Sequence, residues 1–447
     1  MTTIVIGDIH FNVQTGCTFN QQGYYMLQNT FLNAGNETRD PLLQVLQQSQ
    51  QYNVRISSID GRVLKDVRGN TLYDFASCNY LGLDLDQDKL IPAGVQAAKS
   101  FGMHTSRARL MGYHELFTQL ENRLAKFIGC EDTLLFPNTT LASIGIIPAL
   151  IRKDDLIILD KSAHATMYQA AQMARDKGAI LRSFPQGDMV TLQKILQEQE
   201  NCPRKIICVD GVYSMTGDYA DLTQLIPIAE KHRALLYIDD GHGFALIGEK
   251  ENSQCSYGSK GNGVINHYGV KSDCTMYVAG TAKGLAAGAA FVEVTPEMKE
   301  FLMAYAKPLD YTHPSTPFCL GVLDAALDLL TIVGDSRRIT VHDLSTKLIS
   351  GLRDMGFYVM NSSNFPIISV WAGDTGTLIE ASRYLYQHGI FLTSCPYPTM
   401  PKGKEALRIT VTALNTDEQI DHLLTLFSEI KRQWQNKGIA ISPDMQR

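Results

Sequence analysis

The sequence predicts an α/β fold: a large domain on a mostly parallel sheet, followed by a smaller α+β domain. Three observations predict it. The runs TLLF (133–136), LIIL (156–159), AILRSF (179–184), KIICVD (205–210), ALLYIDD (234–240) and CTMYVAG (274–280) are nearly continuous hydrophobics, the pattern of strands buried on both faces. Helical stretches separate most of them, the alternation expected of a covered parallel sheet. The chain has 447 residues, room for two domains.

In chain order, residues 1–40 are polar and rich in Asn, Gln and Gly, and read as an extension. Within 41–100, Val63 and Leu64 and then Thr71–Leu83 read as strand, turn, strand, with a loop ending at Gly82. The large domain is expected over 101–315. Its helix at 114–128 carries Leu116, Leu120, Leu124 and Phe127 on one face. The stretch 249–268 is rich in Gly, Ser and Asn and reads as an inserted surface loop. HPSTP (313–317) leads into long helices, and the small domain over 316–447 has strands near 366–371, 389–392 and 406–412.

Composition narrows the function classes. Hydrophobic residues are 45 % and charged residues 19 %, as in an ordinary globular protein. The net charge of −6 offers nothing to a nucleic acid. No apolar run approaches the roughly 20 residues of a bilayer span, and the N-terminus lacks the pattern of a signal peptide. The nine cysteines are scattered without a CxxC pair, which predicts reduced thiols, a cytoplasmic protein and no bound metal.

In parallel sheets, ligands bind outside the carboxyl ends of the strands. Polar residues cluster there. Lys283 follows an apolar strand among Gly and Ala, where a bulky cofactor meets little steric cover, and a deprotonated lysine forms imines with aldehydes. Asp239 ends another strand. A buried carboxylate there keeps a pyridine nitrogen protonated, as pyridoxal 5'-phosphate (PLP) requires of its electron sink. His242, three residues on, reaches a ring oxygen, and His164 stacks on a planar ring. Asn138, Thr139 and Thr140 open a helix whose free N–H groups suit a phosphate. Arg408 lies in an apolar strand, where a cation needs an anion, and a substrate carboxylate fits it bidentately. Each residue alone has a plainer reading: a solvated Lys283, helix caps at Asp239 and Asn138, a first-turn His164, and an Arg408 in a structural ion pair with an acid. Their order and placement along one edge favour a single PLP site.

From about residue 41 to 435, these segments resemble the α-oxoamine synthases. SCNYLGL (77–83) resembles the family's S-N-D-Y-L-G, TSRARLMG (105–112) its G-S-R-x-x-x-G, and DKSAHAT (160–166) its D-x-x-x-H-A-S. DGVYSMTGDYADL (210–222) is close to E-S-x-x-S-M-x-G-D-x-A-P-L. IDDGHG (238–243) resembles D-E-x-H, GTAKG (280–284) T-x-x-K-x-x-G, and LRITVTA (407–413) the C-terminal R-x-R-x-x-x-T-A.

The resemblance implies PLP fold type I, with a seven-stranded, mostly parallel sheet in the large domain and the 41–100 segment packed on the small one. It gives the Schiff base to Lys283, the ring nitrogen to Asp239, the ring oxygen to His242, stacking to His164, a cofactor contact to Ser214 and the substrate carboxylate to Arg408. Cys78 stands where an Asn often touches substrate, beside Asn79. The phosphate Thr falls one place late, at Thr281. Thr312, Ser315 or Thr316 would reach the cofactor phosphate of a partner subunit in a homodimer with interfacial active sites. The implied reaction joins an amino acid to an acyl thioester, carried on coenzyme A or an acyl carrier protein, with decarboxylation to an α-amino ketone. The alternatives are an aminotransferase or lyase on the same cofactor, and a non-catalytic partner subunit. A nucleotide-binding Rossmann protein is disfavoured because no GxGxxG follows a first strand.

Overall fold

A computed structural model describes residues 2–6, 9–13, 41–250 and 255–443. Near the N-terminus, strands β1 (Thr2–Ile6) and β2 (Ile9–Val13) pair antiparallel as a sheet of their own. The rest of the expected extension lies outside the described residues.

Next come β3 (Ile56–Asp60), β4 (Val63–Asp66) and β5 (Thr71–Asp74), an antiparallel meander. The sequence reading found β4 and β5 and missed β3, whose ISSID is almost wholly exposed and carries no apolar period.

The large sheet holds β6 (Asp132–Phe136), β7 (Leu156–Asp160), β8 (Ile180–Phe184), β9 (Lys205–Asp210), β10 (Ala234–Asp240), β11 (Thr275–Gly280) and β12 (Ala290–Val294) in the order β6-β12-β11-β10-β9-β7-β8. All its neighbours are parallel except β12, which runs antiparallel to β11 and β6. The six hydrophobic runs are the six parallel strands, and every residue of β7 is buried. β12 was not foreseen, because AFVEV follows a Gly/Ala-rich turn that masks its start. Cores line both faces of the sheet: Leu135, Ile158, Ile207, Leu236 and Phe291 on one, Leu134, Ile157, Ile206, Tyr237 and Val292 on the other.

The helix Pro317–Asp354 runs for 38 residues and packs against the helix Gln87–Phe101. Close approach is possible because both faces carry glycine: a Cβ at Gly94 would lie 2.6 Å from Phe318, and one at Gly321 would lie 2.5 Å from the Ala93 carbonyl oxygen. Its most apolar window has a mean hydropathy of 1.7, enough by length and composition to cross a membrane, with 56 % of that window buried in the protein.

The C-terminal part has β13 (Ile367–Gly373), β14 (Ile390–Phe391), β15 (Thr393–Cys395) and β16 (Glu405–Thr410), with β13-β16-β15 as one sheet and β14 joined in parallel to β5. Gln51 Nε2 donates to Ser382 and Ile390 carbonyls at 3.1 Å each, so the early segment is stitched to this part.

Within the 249–268 stretch, residues 251–254 lie outside the described residues, and 255–268 depart from the reading as a surface loop. Tyr257 and Val264 are fully buried, and Val264–Tyr268 is a short helix. Glycines with positive φ at 258, 261 and 263 let the backbone fold tightly against the turn after β10, which explains the composition without exposure.

Candidate active site

Parallel strands put their carboxyl ends on one edge, and the candidate residues gather there because β6, β7, β9, β10 and β11 share a direction. Lys283 Nζ lies 2.9 Å from His242 Nε2, and His242 Nδ1 lies 2.6 Å from the hydroxyl of the fully buried Tyr80. Asp239 is the penultimate residue of β10, buried, its Oδ1 accepting from Gly241 N at 3.0 Å. Asp210 is its direct register partner on β9 and accepts from His164 N at 2.9 Å.

Burial dominates the electrostatics. It lowers the pKa of Lys283 from the ordinary lysine range, against the opposing pull of Cys78 and Asp239. It raises that of Asp239, opposed by Lys283 and His164. Burial lowers His164 and puts His242 well below the usual histidine range, helped by the charges of Lys283 and Arg408. Asp210 is pushed well up by burial and by Asp239. The edge therefore holds a lysine biased toward free amine, two imidazoles biased toward the neutral form, and two acid side chains in register whose burial opposes their charge.

Arg408, on β16, reaches this edge from the C-terminal sheet. Its Nε donates to the Ser214 carbonyl at 2.8 Å, and its Nη2 lies 3.7 Å from Cys78 Sγ. It is 8 % exposed, and among the described residues no carboxylate lies within salt-bridge distance. The structural ion pair considered for it is absent there, so an anionic ligand remains its natural partner.

Other expectations fare unevenly. Asn138 caps the helix Thr139–Leu150 through its side chain, accepting from Leu141 N at 2.8 Å, so its oxygen is committed. Thr139 and Thr140 sit at the first two helical positions, where backbone N–H groups have no helical acceptor.

Thr281 directly follows β11, two residues before Lys283. It is wholly buried, and its hydroxyl faces the carbonyls of Ala287 and Ala289 at 2.6 and 2.9 Å. It closes the 281–289 turn from inside, its hydroxyl engaged by main-chain carbonyls.

Thr312 Oγ1 donates to Pro308 O at 2.7 Å, Ser315 Oγ donates to Gly288 O at 3.1 Å, and Thr316 caps the long helix. Ser214 enters the site through its main chain. Asn79 O accepts from Arg62 Nη2 at 3.2 Å.

Two residues were missed. Tyr80 was visible only as part of a motif, since nothing local predicts its contact with His242. Asp210 had the signal that found Asp239, an acid closing an apolar strand.

The edge fits PLP. A Cβ on Gly241 would lie 3.1 Å from Asp239 Oδ1 and 3.6 Å from Lys283 Nζ, and one on Gly280 would lie 3.0 Å from Thr139 Cγ2. Glycine at both positions keeps open the space that joins the carboxylate, the amine and the helix start. Among the described residues no group of three metal-ligating side chains occurs.

Residues 71–427 match the class I and II aminotransferase family. An 8-amino-7-oxononanoate synthase of Herminiimonas arsenicoxydans is 32 % identical over 366 residues, 80 % of this chain and 90 % of that protein. The enzyme of the same name from Pelobacter propionicus is 31 % identical over 404 residues, 89 % of this chain and 99 % of its own. The chain belongs to the α-oxoamine synthase family.

Solved structures agree on the fold. Serine palmitoyltransferase of Sphingomonas wittichii superposes with a TM-score of 0.78 at 24 % identity, covering 93 % of this chain and 99 % of that one. The 8-amino-7-oxononanoate synthase of Francisella tularensis gives 0.70 at 22 % identity, with 82 % and 99 % covered. As an α-oxoamine synthase, the protein is a PLP-dependent acyltransferase of fold type I that forms carbon–carbon bonds by condensing an amino acid with an acyl thioester.

Proposed function

We propose that Lys283, Asp239, His242, His164 and Arg408 are the working residues of this condensation, and that its product is an α-amino ketone formed with loss of the amino acid's carboxyl group. The observation that carries the proposal is the buried guanidinium of Arg408, without a carboxylate partner among the described residues, on the same edge as the Lys283–His242 pair.

Lys283 would anchor the cofactor through its amine. Thr139 and Thr140, with the free N–H groups of their helix start, would hold its phosphate. Asp239 would face the ring nitrogen, His164 the ring plane and His242 the ring oxygen. When bound, PLP supplies an electron sink for charge developing at the amino acid's Cα. Arg408, pinned by the Ser214 carbonyl, would hold the substrate carboxylate and so orient the bond to be broken. Lys283, its pKa lowered by burial, would then take the α-proton as general base. Cys78, in contact with Arg408, and its neighbour Asn79 would face the substrate.

The acyl group comes on coenzyme A or an acyl carrier protein. A homodimer with interfacial sites, in which Thr312 or Ser315 serves the partner's phosphate, is supported by an exposed apolar run: Met103 (72 %), Met111 (75 %), Leu110, Tyr113 and Phe101. The free thiols of the buried Cys208 and Cys395 are in keeping with the cytoplasm as the working compartment.

Thiol release from acyl thioesters, followed for a panel of amino acids with carbon dioxide measured in parallel, tests this reading. One amino acid should release thiol and carbon dioxide together. Transfer of the amino group to a keto acid without thiol release would establish an aminotransferase instead.

A further inference from the structure

Asp240 follows the cofactor-facing Asp239 and points the other way. It is wholly buried, and three donors converge on it. Gly243 N donates to Oδ1 at 3.0 Å, while Val264 N and the Tyr277 hydroxyl donate to Oδ2 at 2.9 and 2.7 Å. These donors come from three pieces of chain. Gly243 closes the turn that carries His242. Val264 opens the short helix of the 257–268 segment. Tyr277 stands on β11, the strand that ends beside Lys283.

The same segment grips the turn at other points. Ala245 N donates to Gly261 O at 2.8 Å, Gly263 N to Ile247 O at 2.7 Å, and Gly248 N to Tyr257 O at 2.9 Å. The packing admits no side chain: a Cβ on Gly263 would fall 2.0 Å from the Tyr277 hydroxyl, and one on Gly243 would fall 2.2 Å from Asp240 Oδ1. Tyr257 anchors the far end by donating to the Asn364 carbonyl.

We propose that Asp240 is a positioning residue of the active site. Its carboxylate fastens the turn bearing Asp239 and His242 to Tyr277 and to the 257–264 segment, which acts through it as a brace for the cofactor-facing edge. This rests on the reading of Asp239, His242 and Lys283 given above. A turn held at three points keeps His242 within hydrogen-bond reach of both Tyr80 and Lys283, and small displacements of such groups cost large factors in rate.

Protonation of Asp240 would replace an acceptor by a donor facing donors already in place. Burial raises its pKa to about 6, opposed by Tyr277 and the Val264 amide, with Asp239 adding to the rise. The titratable groups packed against it are Tyr277, also pushed up by burial, and Asp239. The sign separates two effects. A folded-state pKa above the unfolded one means that this group's contribution to stability grows as pH falls from about 6 toward 4. Acid should therefore loosen the turn without unfolding the protein through Asp240.

The test uses the full-length protein and the variants Asp240→Asn and Tyr277→Phe. Asp240→Asn keeps the shape but turns an amide N–H₂ toward donors. PLP affinity of the apoprotein, the pH profiles of kcat and KM, and Tm are measured for each. The expected result for Asp240→Asn is a kcat lower by roughly ten- to a hundred-fold, weaker PLP binding, little change in the amino acid's KM, and loss of any fall in kcat below about pH 6. Tyr277→Phe should shift the same quantities in the same direction by less. Wild-type kcat, PLP affinity and acid limb in Asp240→Asn would overturn the proposal, whatever happens to Tm. If wild-type protein binds no PLP, or Lys283→Ala turns over normally, the reading of the site fails instead.

Discussion

Burial sets the behaviour of Lys283. Its lowered pKa means that free amine appears at lower pH than for a lysine in water. The rate of α-proton removal, followed as hydrogen–deuterium exchange of the amino acid, should rise with pH through that lowered pKa and then level off. A rate that is flat from acid to neutral pH would place the base elsewhere. The same burial costs stability, since the folded state must hold the amine against its preference for charge. The cost is largest at low pH and fades as pH rises past the unfolded value. Lys283→Met should therefore abolish activity while leaving the Tm of the apoprotein equal to or above that of wild type at neutral pH, measured by calorimetry.

Arg408 has the opposite exposure to test. With its carboxylate-binding fork removed, Arg408→Gln should lose on the order of a hundred-fold in kcat/KM for the amino acid. The loss should fall mainly in KM, with the acyl thioester's KM unchanged.

At the scale of elements, the 281–289 turn and the helix crossing make separate predictions. Thr281 holds its turn closed with one hydroxyl shared between two carbonyls. Thr281→Val keeps the volume and removes the hydroxyl donor, while the Ala287 and Ala289 carbonyls keep their backbone N–H partners, so the cost should be that of one hydrogen bond, about 0.5–1.5 kcal/mol. Urea titration should show it as a lower midpoint at unchanged slope. Gly94→Val would drive a branched side chain into Phe318, whose ring lies 2.6 Å from the position of a Cβ. Overpacking of that kind costs about 1–3 kcal/mol, read from the same titration.

The parallel strands were legible because both faces of β7, β9, β10 and β11 are covered, so sequence and burial coincide. β3 and β12 were not, the first for its exposed edge position and the second for its start inside a Gly/Ala turn. Asp239, Lys283 and Arg408 were legible because each is a charge against an apolar strand. The carbonyl contacts of Thr281 were not legible, since sequence shows which side chain is present and not which way a buried hydroxyl turns. The 249–268 stretch was misread for a related reason: glycines that permit tight packing have the same composition as glycines that permit exposure.

At the scale of the molecule, two regions distant in sequence must meet to make one site. Cys78 and Tyr80 follow β5, and Arg408 lies on β16, while Lys283 and its partners belong to the large sheet. The segment Thr105–Gly112 is held from beneath by a buried pair, Arg109 Nη2 to Glu121 Oε1 at 2.7 Å, and presents Leu110 and Met111 outward. Met111→Asp should shift the protein from dimer to monomer in analytical ultracentrifugation and lower activity at dilute concentration. Wild-type association in that variant would remove this face from the interface.

Every role proposed for the site depends on PLP being bound through Lys283. Borohydride reduction of the purified holoprotein, followed by peptide mass spectrometry, tests it most directly. A pyridoxyl phosphate increment should appear on the peptide containing Lys283 and on no other lysine. An increment on a different lysine, or none in protein shown to carry PLP, would contradict it.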